Sequence, residues 1–148
     1  MKHAILIFLV VCLATIKMNA QQRIPLEVSA NPIILLFGVG VLAVDANLDA
    51  NWSVGTDIFL GANLASIYLN GKHYFRPRKG TDGFNVGTFL TIPSRNDGAS
   101  VGFFGGHKWV SQKNITFEVA LGVGRQFGEE NVINALPYFK LNVGYRFR

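Results

Sequence analysis

From residue 24 to the C-terminus of this 148-residue chain, side chains alternate between apolar and polar or small, with a period of two. That is the period of a β-strand, whose successive side chains point to opposite faces. Ile115, Phe117, Val119, Leu121 and Val123 share one face, and Thr116, Glu118, Ala120, Gly122, Gly124 and Gln126 the other. Pro137, Phe139, Leu141, Val143, Tyr145 and Phe147 alternate with Tyr138, Lys140, Asn142, Gly144 and Arg146. Trp52, Val54, Thr56, Ile58 and Leu60 alternate with Ser53, Gly55, Asp57, Phe59, Gly61 and Asn63. Five further segments, roughly 24–31, 36–47, 66–76, 84–92 and 100–110, follow the pattern less strictly. In 36–47 the faces are ambiguous until Asp45 and Asn47 assign the Val39 side as the polar one.

Eight strands are therefore expected. Turn-forming residues separate them: Asn31-Pro32, Asp49-Ala50-Asn51, Gly80-Thr81-Asp82-Gly83, Asn96-Asp97-Gly98, Gln112-Lys113-Asn114 and Gly128-Glu129-Glu130-Asn131. No composition shift marks a second domain. The hairpin is the only internal repeat.

Residues 1–20 read as a signal peptide, with Lys2 and His3 ahead of an apolar core from Ala4 to Thr15 and a small residue at Ala20. Lipoprotein processing at Cys12 is disfavoured, because Val11 stands where a small residue is needed. Lys17 ends the apolar run too early for an anchor helix, and no later run approaches the ~20 residues a spanning helix needs. The expected mature domain, 21–148, carries no cysteine, hence no disulfide or thiol chemistry. The formal charge of +5 falls by two on losing Lys2 and Lys17, and the remaining basic residues are scattered, apart from Arg76, Arg78 and Lys79. Nucleic-acid binding, which needs a concentrated basic face, is disfavoured.

Alternation alone does not separate a soluble barrel from a membrane one. Three features favour the membrane. The last segments run ~10–12 residues, against roughly 9–11 for a tilted spanning strand and about 5–6 for an ordinary one. The polar face mixes glycines and Phe59, Phe89 and Phe104 with four acids, Glu27, Asp45, Asp57 and Glu118, and five bases, Lys72, Arg76, Lys108, Lys140 and Arg146. That suits a narrow barrel interior filled by large beside small residues and paired charges. Lastly, Trp52, Phe75, Trp109, Tyr145 and Phe147 fall near one rim of an up-and-down barrel, as in the aromatic girdles of outer-membrane barrels. The expectation is an all-β, eight-stranded antiparallel up-and-down transmembrane β-barrel following a cleaved signal peptide.

The chain resembles the small outer-membrane β-barrel proteins of Bacteroidetes-type bacteria, including a barrel family of unknown function. The residues carrying the resemblance are Asn31-Pro32 with Leu35-Leu36-Phe37-Gly38, Asn51-Trp52-Ser53-Val54-Gly55, His73-Tyr74-Phe75-Arg76, Gly105-Gly106-His107-Lys108-Trp109, and the ending Leu141-Asn142-Val143-Gly144-Tyr145-Arg146-Phe147. It covers most of 24–148. It implies the outer membrane of a gram-negative cell, insertion by the barrel-assembly machinery that reads a terminal aromatic, and no assigned activity, catalytic residue or cofactor.

Catalysis would need a base beside a nucleophile, oriented by a third group. His73 and His107 are the available bases. Ser66 and Ser100 lie at the opposite ends of the same strands, about ten residues at ~3.3 Å each, far beyond hydrogen-bond reach. Both histidines are read as interfacial, and the interior charges as a salt-bridged filling. Gly38-Val39-Gly40 and Gly122-Val123-Gly124 open no helix and carry no nucleotide-loop signal. No His/Cys spacing suggests a metal. The loops around Asn31-Pro32, Ala62 to Ala65, Pro93 to Gly98 and Gly128 to Asn134 look short for an adhesin.

The leading expectation is thus a non-enzymatic, monomeric barrel in the outer membrane, without cofactor, structural or binding a small hydrophobic or lipid ligand. Two alternatives are an envelope-lipid-modifying enzyme and a secreted, soluble lipocalin-like carrier. The carrier requires the opposite polarity, with Ile115, Phe117 and Val119 turned inward and Glu118 and Lys140 in water.

Overall fold

The computed structural model describes residues 25–61, 65–93, 98–127 and 135–147. The leader with Cys12, parts of three loops, Asn63 and Arg148 lie outside the described residues. Eight strands, β1 (Leu26–Ala30), β2 (Gly40–Asn47), β3 (Trp52–Leu60), β4 (Ala65–Tyr74), β5 (Gly83–Pro93), β6 (Ser100–Val110), β7 (Ile115–Gln126) and β8 (Ala135–Arg146), form a closed barrel in sequence order. Every neighbouring pair is antiparallel, including the closing pair of β1 and β8.

One rim carries the start of β1 and the end of β8 and is called here the terminus rim. Three tight connections close it. In the first, Asp49 Oδ1 accepts from the backbone N–H groups of Asn51 and Trp52. In the third, Asn114 adopts a left-handed φ of 61°, a conformation asparagine tolerates better than most residues. The second, residues 75–82, folds back over the barrel mouth.

At the opposite rim stands a short helix, α1 (Pro32–Leu36), between β1 and β2. Asn31 caps it, its side chain accepting from Ile33 N and Ile34 N, and Pro32 takes the first turn, where no N–H is needed. Gly38, at φ 78°, ends it in the left-handed conformation that glycine adopts without strain. This corrects the sequence expectation in two ways. Asn31-Pro32 is a helix start rather than a bare turn, and the strand expected over 36–47 begins only at Gly40.

The polarity of the wall is inside-out relative to a water-soluble barrel. Glu118, Lys140, Lys72, Asp45 and Asp57 are buried within, while Ile115, Phe117, Leu121 and Val123 are exposed outside. This is the reverse of what the lipocalin-like carrier requires. Among the described residues, the outward strand positions carry no Asp, Glu, Lys or Arg apart from Arg125 beside the helix rim.

Inward glycines make the narrow lumen possible. A Cβ on Gly102 would fall 2.5 Å from Gly124 Cα and into the Phe89 ring, and one on Gly122 would meet Phe104. These positions are empty so that Phe89 and Phe104 can lie across the barrel.

Candidate functional site

The lumen is the part of the molecule where chemistry-bearing side chains converge. β1, β2, β3, β7 and β8 point Glu27, Asp45, Asp57, Glu118, Lys140 and Arg146 inward, and β4 and β6 add Lys72 and Lys108. All eight are at most 5% exposed. They form one line of alternating sign. Arg146 meets Glu27 at 3.2 Å, Glu27 meets Lys108 at 3.1 Å, and Lys108 reaches Asp45 at 3.7 Å. Asp45 meets Lys72 at 2.9 Å, Lys72 meets Glu118 at 3.1 Å, Glu118 reaches Lys140 at 3.6 Å, and Lys140 ends on Asp57 at 2.8 Å.

Four acids thus face four bases, so the line is neutral overall. Burial of a lone charge is costly, and pairing with hydrogen bonds is what makes it tolerable. Lys72 Nζ donates to Asp45 and to both oxygens of Glu118, bridging two strands that are not neighbours. Lys108 also sits over the Tyr74 ring, 5.3 Å from its centroid.

The ninth expected member, Arg76, is not in this line. β4 ends at Tyr74, and Arg76 lies beyond it, exposed, with φ 50°. The alternation places Arg76 inward only if the strand continues to residue 76. Tyr74 takes the last inward position, fully buried.

Both ends of the line are tied off. At the terminus rim, Arg146 donates to the carbonyls of Lys79 and Thr81 and to Thr81 Oγ1. Thr81 Oγ1 in turn donates to Asn47 Oδ1. This draws loop 75–82 into the mouth, with Thr81 buried. At the other end, the Tyr138 hydroxyl donates to Asp57 at 3.2 Å. Tyr138 stacks on Phe89 and Phe104, with centroids 4.8 and 5.0 Å apart, and Tyr68 packs on the same group. The lumen is therefore charged toward the terminus rim and aromatic toward the helix rim. The Thr81 latch had no local sequence signal, because it joins residues from β2, a loop and β8.

Around Lys72, and from there toward the terminus rim, one wall carries polar side chains without partners among the described residues. Ser53 Oγ, the Tyr74 hydroxyl and both amide atoms of Asn70 and Asn85 are buried and have no hydrogen-bond partner among the described residues. They line β3, β4 and β5 near Lys72, where internal water is the usual partner for such groups.

The five aromatics expected at an interface, Trp52, Phe75, Trp109, Tyr145 and Phe147, are all about half exposed and all lie at the terminus rim. His73 is sandwiched by Trp52 and Phe75, with centroids at 4.5 and 4.9 Å, and His107 packs on Trp109 at 4.3 Å. His73 Nδ1 has no hydrogen-bond partner among the described residues. Neither imidazole is joined to a serine or carboxylate by any hydrogen bond among those residues, and no group of metal-ligating side chains occurs among them.

No protein-family model, curated protein or solved structure matches the chain.

Proposed function

We propose that this protein is a small, non-enzymatic outer-membrane β-barrel of a gram-negative, Bacteroidetes-type cell, acting as a compact structural or lipid-contacting component of the envelope. One observation carries the proposal: a closed barrel buries a neutral line of eight charges and exposes an almost uncharged apolar wall. In water such a wall would be a large aggregation-prone patch. In a bilayer it is the expected face, and strand pairing around the closed barrel satisfies backbone hydrogen bonds that lipid cannot, except along the first part of β8, which pairs with a described strand on one side only.

The half-exposed aromatics at the terminus rim fit a bilayer interface. The tilted and edge-on packing of His73 and His107 against those rings supports an interfacial role for both over a catalytic one. The filled lumen supports a structural role over a pore, since eight strands leave room for little more than side chains. The resemblance of the ending around Gly144-Tyr145-Arg146-Phe147 to Bacteroidetes-type barrels points the same way and implies insertion by the barrel-assembly machinery.

The test is gel mobility in mild detergent, boiled against unboiled, on a purified outer-membrane fraction. The expected result is faster migration unboiled, from a barrel that resists the detergent. Recovery from the soluble periplasm with no heat-dependent shift would refute the membrane placement.

A further inference from the structure

The barrel wall has a seam. β1 has five residues where β8 has twelve, and the two meet over four residue pairs, from Glu27–Arg146 to Ala30–Val143. β8 continues past Val143 to Ala135, paired with β7 on one side. On its other side, no described strand pairs with it over that stretch. Pro137, which has no N–H to offer a neighbour, lies within it, as prolines in strands do at edges. The space is taken by α1, which packs against both β2 and β8.

Between α1 and the wall runs a groove of about 490 Å³. Leu35 lines it from the helix, and Leu42, Ile58, Leu60 and Val143 from the outward face of the barrel. Its one polar side chain, Asn31, is committed to capping α1. No charged residue occurs from Pro32 to Val44, and Leu36 and Phe37 beside the groove are more than 80% exposed.

We propose that this groove holds one acyl chain of a membrane phospholipid, seated at the β1–β8 seam beneath α1. The inference rests on the bilayer placement above. The groove opens on the same outward face as the apolar wall, so its occupant comes from the medium that covers that wall. Its lining offers shape and apolar surface but no charge and no free side-chain hydrogen bond, which suits a hydrocarbon chain and not a peptide. A second barrel presents a convex wall that does not enter a slot under a helix. The volume falls within the range of small-molecule sites, roughly 300–1,000 Å³.

The experiment uses the full chain, purified in mild maltoside detergent, with a phosphatidylethanolamine carrying a photoreactive diazirine on its palmitoyl tail. Labelled peptides are mapped by mass spectrometry. Labelling should concentrate on the segments containing Leu35, Leu42 and Val143. It should fall about tenfold, a loss of ~1.4 kcal/mol in binding, when Ala30→Trp or Leu60→Trp fills the groove, and should persist in Val101→Trp on another part of the wall. Ala30 and Leu60 both face outward, and unboiled gel mobility checks that each variant folds. Labelling spread evenly around the wall, or unchanged by both groove substitutions, overturns the groove. So does absence of labelling, or stronger labelling by a free palmitate diazirine than by the phospholipid. The bilayer placement is read separately, by insertion of unlabelled protein into vesicles, so its failure is distinguishable from that of the groove.

Discussion

Lys72 and Arg76 stand two steps of alternation apart on one segment, yet they meet opposite fates. Lys72 is fully buried and bridges Asp45 and Glu118, whereas Arg76 lies past the end of β4 in the open. Period-two reasoning is reliable while a strand lasts and says nothing about where it stops. Eight of the nine expected interior charges are inward because they lie within strands, and the ninth is not because Tyr74 closes the last pleat. The difference is measurable. Lys72→Met should cost ~3–5 kcal/mol, because it leaves four buried acids facing three bases, with Asp45 and Glu118 each reduced to its longer pair, at 3.7 Å to Lys108 and 3.6 Å to Lys140. Arg76→Met should stay within about 0.5 kcal/mol, as an exposed substitution. Urea unfolding of both variants in the same detergent or vesicle system checks this, and equal costs would mean that the line of charges is not what holds the lumen together.

Elements were legible in proportion to how much of their stability is local. Long strands such as β7 and β8 declare themselves by alternation over twelve residues each. α1 does not, since five residues hold little more than one helical turn and period cannot be read from so short a run. Its signal was the Asn31-Pro32 pair, which fits a helix cap and first turn as well as it fits a bend. The fold of loop 75–82 was not legible at all, because the Arg146–Thr81–Asn47 contacts that hold it are between distant residues. The cap gives a prediction at this scale. Asn31→Ala removes the acceptor for two helix N–H groups and should destabilise α1 by ~0.5–2 kcal/mol. Hydrogen exchange should quicken at residues 33–38 and stay unchanged in β6 and β7. Faster exchange throughout the barrel would instead make α1 a keystone of the closed sheet.

For the molecule as a whole, the question is what covers the outer wall, and substitution at graded depth answers it. Leu121 lies near the middle of β7, faces outward and is well exposed, while Ile115 begins the same strand at the terminus rim, also exposed. If water covers both, Leu121→Arg and Ile115→Arg each change stability by no more than about 0.5 kcal/mol, as surface substitutions do. If a bilayer covers them, the two diverge. An arginine at the midplane of a membrane barrel costs ~2–4 kcal/mol, and one near the interface ~0–1, because the long side chain reaches the headgroups. The expected outcome, from urea unfolding in vesicles, is a penalty at Leu121 that exceeds the one at Ile115 by about 2 kcal/mol or more. Equal, small penalties in vesicles into which the barrel has inserted would mean that neither site is in hydrocarbon. The contrast is informative because both residues sit on one strand and one face, so propensity and packing are nearly matched and depth alone differs. Arg125, on that same face near the other end of β7, is the arginine the wild-type chain already tolerates, beside Phe127 at the helix rim. Its position fits the depth rule: among the described residues, the outward charge on the strands sits where a bilayer would end.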